Sequence, residues 1–146
     1  MTDNREAGLQ EIYERIKENR IALDIDSFKR IPTKPVQESD LTCCLMIEGN
    51  DVIIKKSSRG TTGYPAQRLL EVIIELIAKK SIDVRAITKN LRSVIFTDRI
   101  TEKPSSIIAE NVFINENRTE GPMGFGLPNV IGMRLVLDLV YTDTGF

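Results

Sequence analysis

Ala66-Gln-Arg-Leu-Leu-Glu-Val-Ile-Ile-Glu-Leu-Ile-Ala-Lys-Lys80 decides the architecture, because it can be read in two ways. As a strand, it sets Leu70, Val72, Ile74, Leu76 and Ala78 on one face and Leu69, Glu71, Ile73, Glu75 and Ile77 on the other. As a helix, it makes a core stripe of Leu69, Leu70, Ile73, Ile74 and Ile77, with Glu71, Glu75 and Lys79 outside at four-residue spacing. Periodicity alone leaves both open. The β-branched run Val72-Ile-Ile74 and Ile77 favour the strand, since such side chains lose rotamer freedom against a helical turn. The stretch 66–80 is therefore read as one long strand.

Downstream, Ser81 or Asp83 can cap a helix over 81–97 whose apolar face is Val84, Ile87, Leu91, Val94 and Ile95. Two strands are expected after it. Residues 107–116 alternate through Ile108, Val112 and Ile114, and 129–142 set Met133, Leu135, Leu137, Leu139 and Tyr141 opposite Arg134, Val136, Asp138 and Val140. The polar run Asn115–Glu120 and the glycine-proline run Gly121–Pro128 read as loops between them.

Upstream, Leu41-Thr-Cys-Cys-Leu-Met-Ile47 and Val52-Ile-Ile-Lys-Lys56 flank the turn signal Glu48-Gly-Asn-Asp51, which predicts a hairpin over 41–56. Pro32 and Pro35 mark an extended linker or edge segment. Residues 1–20 form an amphipathic helix with Leu9, Ile12, Tyr13 and Ile16 inward and Thr2, Asp3 or Asn4 as its cap. The expected fold over 1–146 is a single α+β domain: a mostly antiparallel sheet of about four to six strands, two helices packed on one face, and long loops.

The long strands carry apolar residues on both faces, Leu69, Ile73, Ile77, Val136 and Val140 as well as the core set. Two helices on one face leave the other for partner subunits to cover.

Composition narrows the function classes. The chain has 146 residues, a net charge of −1 and no histidine, which removes the usual general base, proton shuttle and commonest metal ligand. Balanced charge supplies no long-range field for nucleic acid or an anionic membrane. Adjacent Cys43 and Cys44 point to opposite faces of a strand and neither clamp a metal nor pair easily. No catalytic, metal or cofactor residues are assigned, and an enzyme is not expected. The polar N-terminus is unlike a signal peptide, so a cytoplasmic chain with no membrane span is expected.

The tempting motifs fail on context. Gly121-x-x-Gly124-x-Gly126 is followed by a strand and lacks the lysine of a phosphate loop. Arg59-Gly-Thr-Thr-Gly63 behind Lys55 and Lys56 is a small basic tip with only Tyr64 as an aromatic platform, and reads better as a subunit contact than as a nucleic-acid site. Glu71 and Glu75 lie about 13 Å apart along a strand, too far for a glycosidase pair.

In size and in the order of its elements, the chain resembles the phage tail terminator (tail-completion) proteins of long-tailed bacteriophages. The likeness is carried by the N-terminal helix ending near Arg20, Phe28-Lys-Arg-Ile-Pro32 leading into Leu41–Ile47, the strand Arg68–Ala78, the helix Asp83–Ile95 and the closing strand Gly132–Tyr141. The resemblance implies a virion protein assembled in the host cytoplasm. Its subunits form a ring, in that family a hexamer, which caps the tail tube, stops its polymerisation and joins the tail to the head connector. The implied partners are further copies of itself, the tail tube protein and the connector or neck protein, with DNA only as passing cargo. The residues expected at protein contacts are Lys55, Lys56, Arg59, Tyr64, Met123, Phe125, Leu127, Tyr141 and Phe146. The alternatives are another neck, head-closure or tail tube subunit, or a ferredoxin-like small-ligand-binding module.

Overall fold

Helix α1 (Asn4–Glu18) is followed by β1 (Ser27–Arg30), β2 (Cys43–Lys56), β3 (Ala66–Lys79), α2 (Val84–Ile95), β4 (Ile107–Ala109), β5 (Val112–Met123) and β6 (Val130–Asp143). These elements come from a computed structural model that describes residues 3–30, 41–56, 66–124 and 128–143. The six strands form one sheet in the order β1-β2-β3-β6-β5-β4, antiparallel throughout except that β1 runs parallel to β2. The expected α+β class, mostly antiparallel sheet and two helices on one face are what the structure shows.

The 66–80 stretch is a strand, and its alternation sorts it cleanly: Leu70, Val72, Ile74, Leu76 and Ala78 are buried while the intervening residues are half-buried. β3 and β6 pair without a break from Ala66 opposite Asp143 to Lys79 opposite Val130. Leu9, Ile12 and Ile16 of α1 and Val84, Ile87, Leu91 and Ile95 of α2 close over this core face together with Met133, Leu135, Leu137 and Leu139 of β6. Each helix starts on an aspartate: the carboxylate of Asp3 accepts from the Glu6 N–H at 2.7 Å, and that of Asp83 from the Ala86 N–H at 3.2 Å.

The helices are joined by one buried cation. The Arg15 guanidinium, 2% exposed, donates to Glu11 on its own helix at 2.8 Å and to the Ile95 carbonyl at 2.6 Å. That carbonyl ends α2, where the helix dipole is negative, so the charge is satisfied by a carboxylate and a helix terminus together.

Three expectations need correction. The hairpin predicted over 41–56 is a single strand, β2, because Glu48–Asp51 makes a bulge rather than a turn: pairing with β3 shifts between Glu48 opposite Val72 and Asp51 opposite Leu70. Gly49 fits this bulge because a Cβ there would sit 2.6 Å from Glu71 Oε1 and 3.1 Å from Glu71 Cβ. The strand expected over 107–116 is broken at Glu110–Asn111, with Asn111 at φ 59°, into β4 and β5. The polar run 115–120, expected to be a loop, lies inside β5, which continues to Met123 with two register shifts against β6. Its polar side chains are held across the sheet: Asn117 donates to Asp138, and Arg92 of α2 donates to Glu116 and Thr119.

β2 and β3 end at Lys56 and Ala66, beside Asp143, whereas β5 and β6 meet beyond Met123 and Val130, beside Lys79. The two long connections thus leave the sheet at opposite ends.

Candidate interaction face

Cys43, Leu45 and Val136 are buried, at 0%, 5% and 1% exposure, yet stand outside the cluster that the helices cover. They belong to the other face of the sheet. No helix of the described residues packs there, and the strand register arranges its side chains in rows. One row is Val52, Leu69, Val140 and Phe113; a second is Ile47, Ile73 and Val136 with Arg118; a third is Cys43, Ile77, Gly132 and Met123. Between the apolar rows run polar ones: Glu71, Asp138 and Asn115, then Leu45 with Glu75, Arg134 and Glu120.

The charged groups are tied to one another within the face. Arg134 Nε is 2.9 Å from Glu75, Arg118 Nε 2.9 Å from Glu120 and Arg118 Nη1 3.9 Å from Glu71. They stay at the surface as fixed pairs, and of the apolar rows the one ending in Val52, 49% exposed, and Phe113, 40% exposed, is the most open. Apolar bands alternating with pinned charge have the chemistry of a contact surface: apolar contact supplies attraction and charges penalise misplacement.

At the Asp143 end of the sheet, Asp51 gathers four elements. Its carboxylate accepts from the Tyr141 hydroxyl of β6, from Arg68 Nε of β3 at 3.0 Å and from Arg5 Nε of α1 at 3.2 Å. Burial works against the ionised carboxylate, but the hydrogen bonds from Tyr141, Arg68 and Arg5 outweigh it and hold Asp51 below the usual carboxylate range. Burial and the bond to Asp51 push the Tyr141 phenol up to about 12. Arg5 also reaches Glu48 at 2.6 Å, and Arg30 of β1 reaches Glu6 at 2.7 Å, so α1 is bolted across the edge strands.

Of the residues expected at contacts, Met123 ends β5 and completes the third apolar row, half-buried. Tyr141 needs correction: at 5% exposure it belongs to the core face and its hydroxyl is spent on Asp51, so it offers no surface in this fold. Lys55 and Lys56 form the backbone end of β2, and their side chains are outside the description. Arg59, Tyr64, Phe125, Leu127 and Phe146 lie outside the described residues. The two of the nine whose side chains are described, Met123 and Tyr141, lie on opposite faces of the sheet. The face was anticipated from the apolar residues on both sides of the long strands, Leu69, Ile73, Ile77, Val136 and Val140, but none of these was among the nine expected contact residues.

Among the described residues, no cluster of three histidine, cysteine or carboxylate side chains is placed to hold a metal, and no helix is long and apolar enough to cross a membrane. Burial pushes the Cys44 thiol well above its ordinary value, leaving it a small core residue.

Compared with solved structures, the chain matches one described as "Virion of native gene transfer agent (GTA) particle". The two share 11% identity over 90% of this chain and 92% of that one, with a TM-score of 0.52, which shows a common fold across nearly the whole length. No family model and no curated protein matches the chain.

Proposed function

We propose that this chain is a structural virion protein whose subunits close into a ring, of six copies in the family it resembles, that caps a phage tail tube. The ring ends tube polymerisation and joins tail to head connector. The observation that carries the reading is the helix-free sheet face: its apolar rows run from exposed Val52 and Phe113 through half-buried Leu69, Ile73, Ile77 and Val140, and no helix of the described residues packs on them. A monomer rarely leaves such a surface bare, and a subunit of a closed assembly uses it as an interface. The fold shared with a chain of a gene transfer agent virion supports the virion setting.

Electron microscopy of the purified protein tests this. Rings of fixed subunit number that bind the end of preformed tail tubes and stop their growth are expected. Open tubes formed by the protein alone would make it a tube subunit, and a stable monomer at high concentration overturns both.

A further inference from the structure

The outward side of α2 is chemically opposite to the sheet face. Helix Val84–Ile95 contains no acidic residue, and its exposed stripe runs Arg85, Ala86, Lys89, Asn90, Ser93, with Ile82, 37% exposed, and the exposed cap Asp83 in the turn before it. Arg85 and Lys89 stand one turn apart and have no ion-pair partner among the described residues. On the sheet face between Phe113 and Met123, the carboxylates Glu71, Glu75, Glu120 and Asp138 outnumber the cations of the described residues there, Arg118, Arg134 and, on β1 abreast of Leu45, Lys29; Lys79 stands beyond the last row. Asp138 accepts from the neutral side-chain amide of Asn117 at 3.1 Å.

Two such sheet faces brought together would double the acidic excess, so a face-to-face dimer is disfavoured. The helix stripe has the complementary charge and lies across the sheet from that face, because α2 packs on the core side. Arginine and lysine stems can lie along apolar rows while their heads reach the acidic rows between them. We propose that the occupant of the helix-free face is a second copy of this chain, docked head to tail, with the Ile82–Ser93 stripe of one subunit seated on the Leu69–Ile77 face of the next. Such a contact uses two different patches, so it repeats from copy to copy and yields a ring when its rotation closes. The inference rests on the ring reading and assigns the surfaces that build it.

The test uses two half variants of the full chain, R85E/K89E and E120K/D138K, followed by sedimentation velocity, with circular dichroism to verify folding. Each alone places like charges across the contact and is expected to sediment as a monomer, whereas an equimolar mixture restores both pairings and assembles with the two variants alternating. Either half variant assembling as the wild type does, or a mixture that stays monomeric, overturns the assignment. A wild type that is itself monomeric overturns the ring reading first. Should a half variant fail to fold, the double cysteine variant A86C/F113C replaces it: oxidation must give a ladder of cross-linked oligomers, and its absence overturns the contact.

Discussion

Tyr141 and Asp51, 90 residues apart in the chain, are joined by a hydrogen bond from phenol to carboxylate that fastens the end of β6 to the outer half of β2. Arg68 and Arg5 converge on the same carboxylate, so one aspartate holds β2, β3, β6 and α1 together. Asp51→Ala leaves a phenol and two guanidiniums without their shared acceptor, and a loss of about 2 kcal/mol is expected from the worth of charged hydrogen bonds. Tyr141→Phe removes one donor only and is expected to cost about 1 kcal/mol. Urea denaturation of both variants measures the order, and equal losses would mean that the arginine bonds contribute nothing.

The same pair fixes two pH limits. Asp51 is held below its ordinary value in the folded chain, so its contribution is present above the unfolded pKa of roughly 4 and fades as pH falls through the folded value. Tyr141 moves the other way: its pKa rises from 10.0 to about 12, so its contribution is complete below 10.0 and is lost between there and about 12. Stability measured across the alkaline range should fall over that window in the wild type and fall less in Tyr141→Phe. Phenolate absorbance should show one of the tyrosines ionising late until the chain unfolds.

Gly8 of α1 lies against the sheet so closely that a Cβ would stand 2.7 Å from Val112 Cγ1 and 2.9 Å from Leu139 Cδ1. Alanine would gain about 1 kcal/mol in helix propensity, but overpacking costs about 1–3 kcal/mol. Gly8→Ala is therefore expected to lower the melting temperature. A rise would show that the two side chains can step aside.

Arg15→Ala removes the cation that Glu11 and the Ile95 carbonyl share. Loss of one partner from a buried pair costs about 3–5 kcal/mol, though Glu11 keeps Arg99 at 2.7 Å, which places the expected loss at the lower end. Thermal unfolding of this variant should come earlier than that of the Asp51, Tyr141 and Gly8 variants, and a near-neutral effect would refute the reading of Arg15 as the tie between the helices.

Leu69 and Leu70 are neighbours with opposite roles. Leu70 is fully buried in the helix-covered core, and Leu70→Ala is expected to destabilise by about 2–5 kcal/mol. Leu69→Ser and Ile73→Ser, each half-buried, should each cost less than Leu70→Ala yet together weaken self-association, as read by sedimentation. Comparable destabilisation at both sites would mean that the outer face is part of the core rather than an interface.

How far the sequence carries can be followed along the same strands. β3 was readable because the β-branched Val72, Ile73, Ile74 and Ile77 tipped a periodicity that fits strand and helix alike, and α1 and α2 because an aspartate cap precedes each apolar stripe. β2 misled because Glu48-Gly-Asn-Asp51 has turn chemistry; what makes it a bulge is Glu71, on another strand, packed where a side chain on position 49 would go. β5 was hidden for a similar reason: the partners that hold Asn117, Glu116 and Thr119 are Asp138 and Arg92, more than twenty positions away. At the candidate face, apolar excess on both sides of the long strands was visible in the chain, but the rows were not, since they exist only once the register brings Val52, Leu69, Val140 and Phe113 abreast.

The uninterrupted ladder between β3 and β6 sets how the molecule can yield. It runs the full length of both strands with no bulge, whereas β2 and β5, on either side of it, each slip register twice. The central pair is a stiff spine with compliant flanks, and amide protons should exchange most slowly along it and sooner in the strands beside it. A subunit built this way can adjust its rim to an imperfect neighbour without transmitting the distortion through its middle.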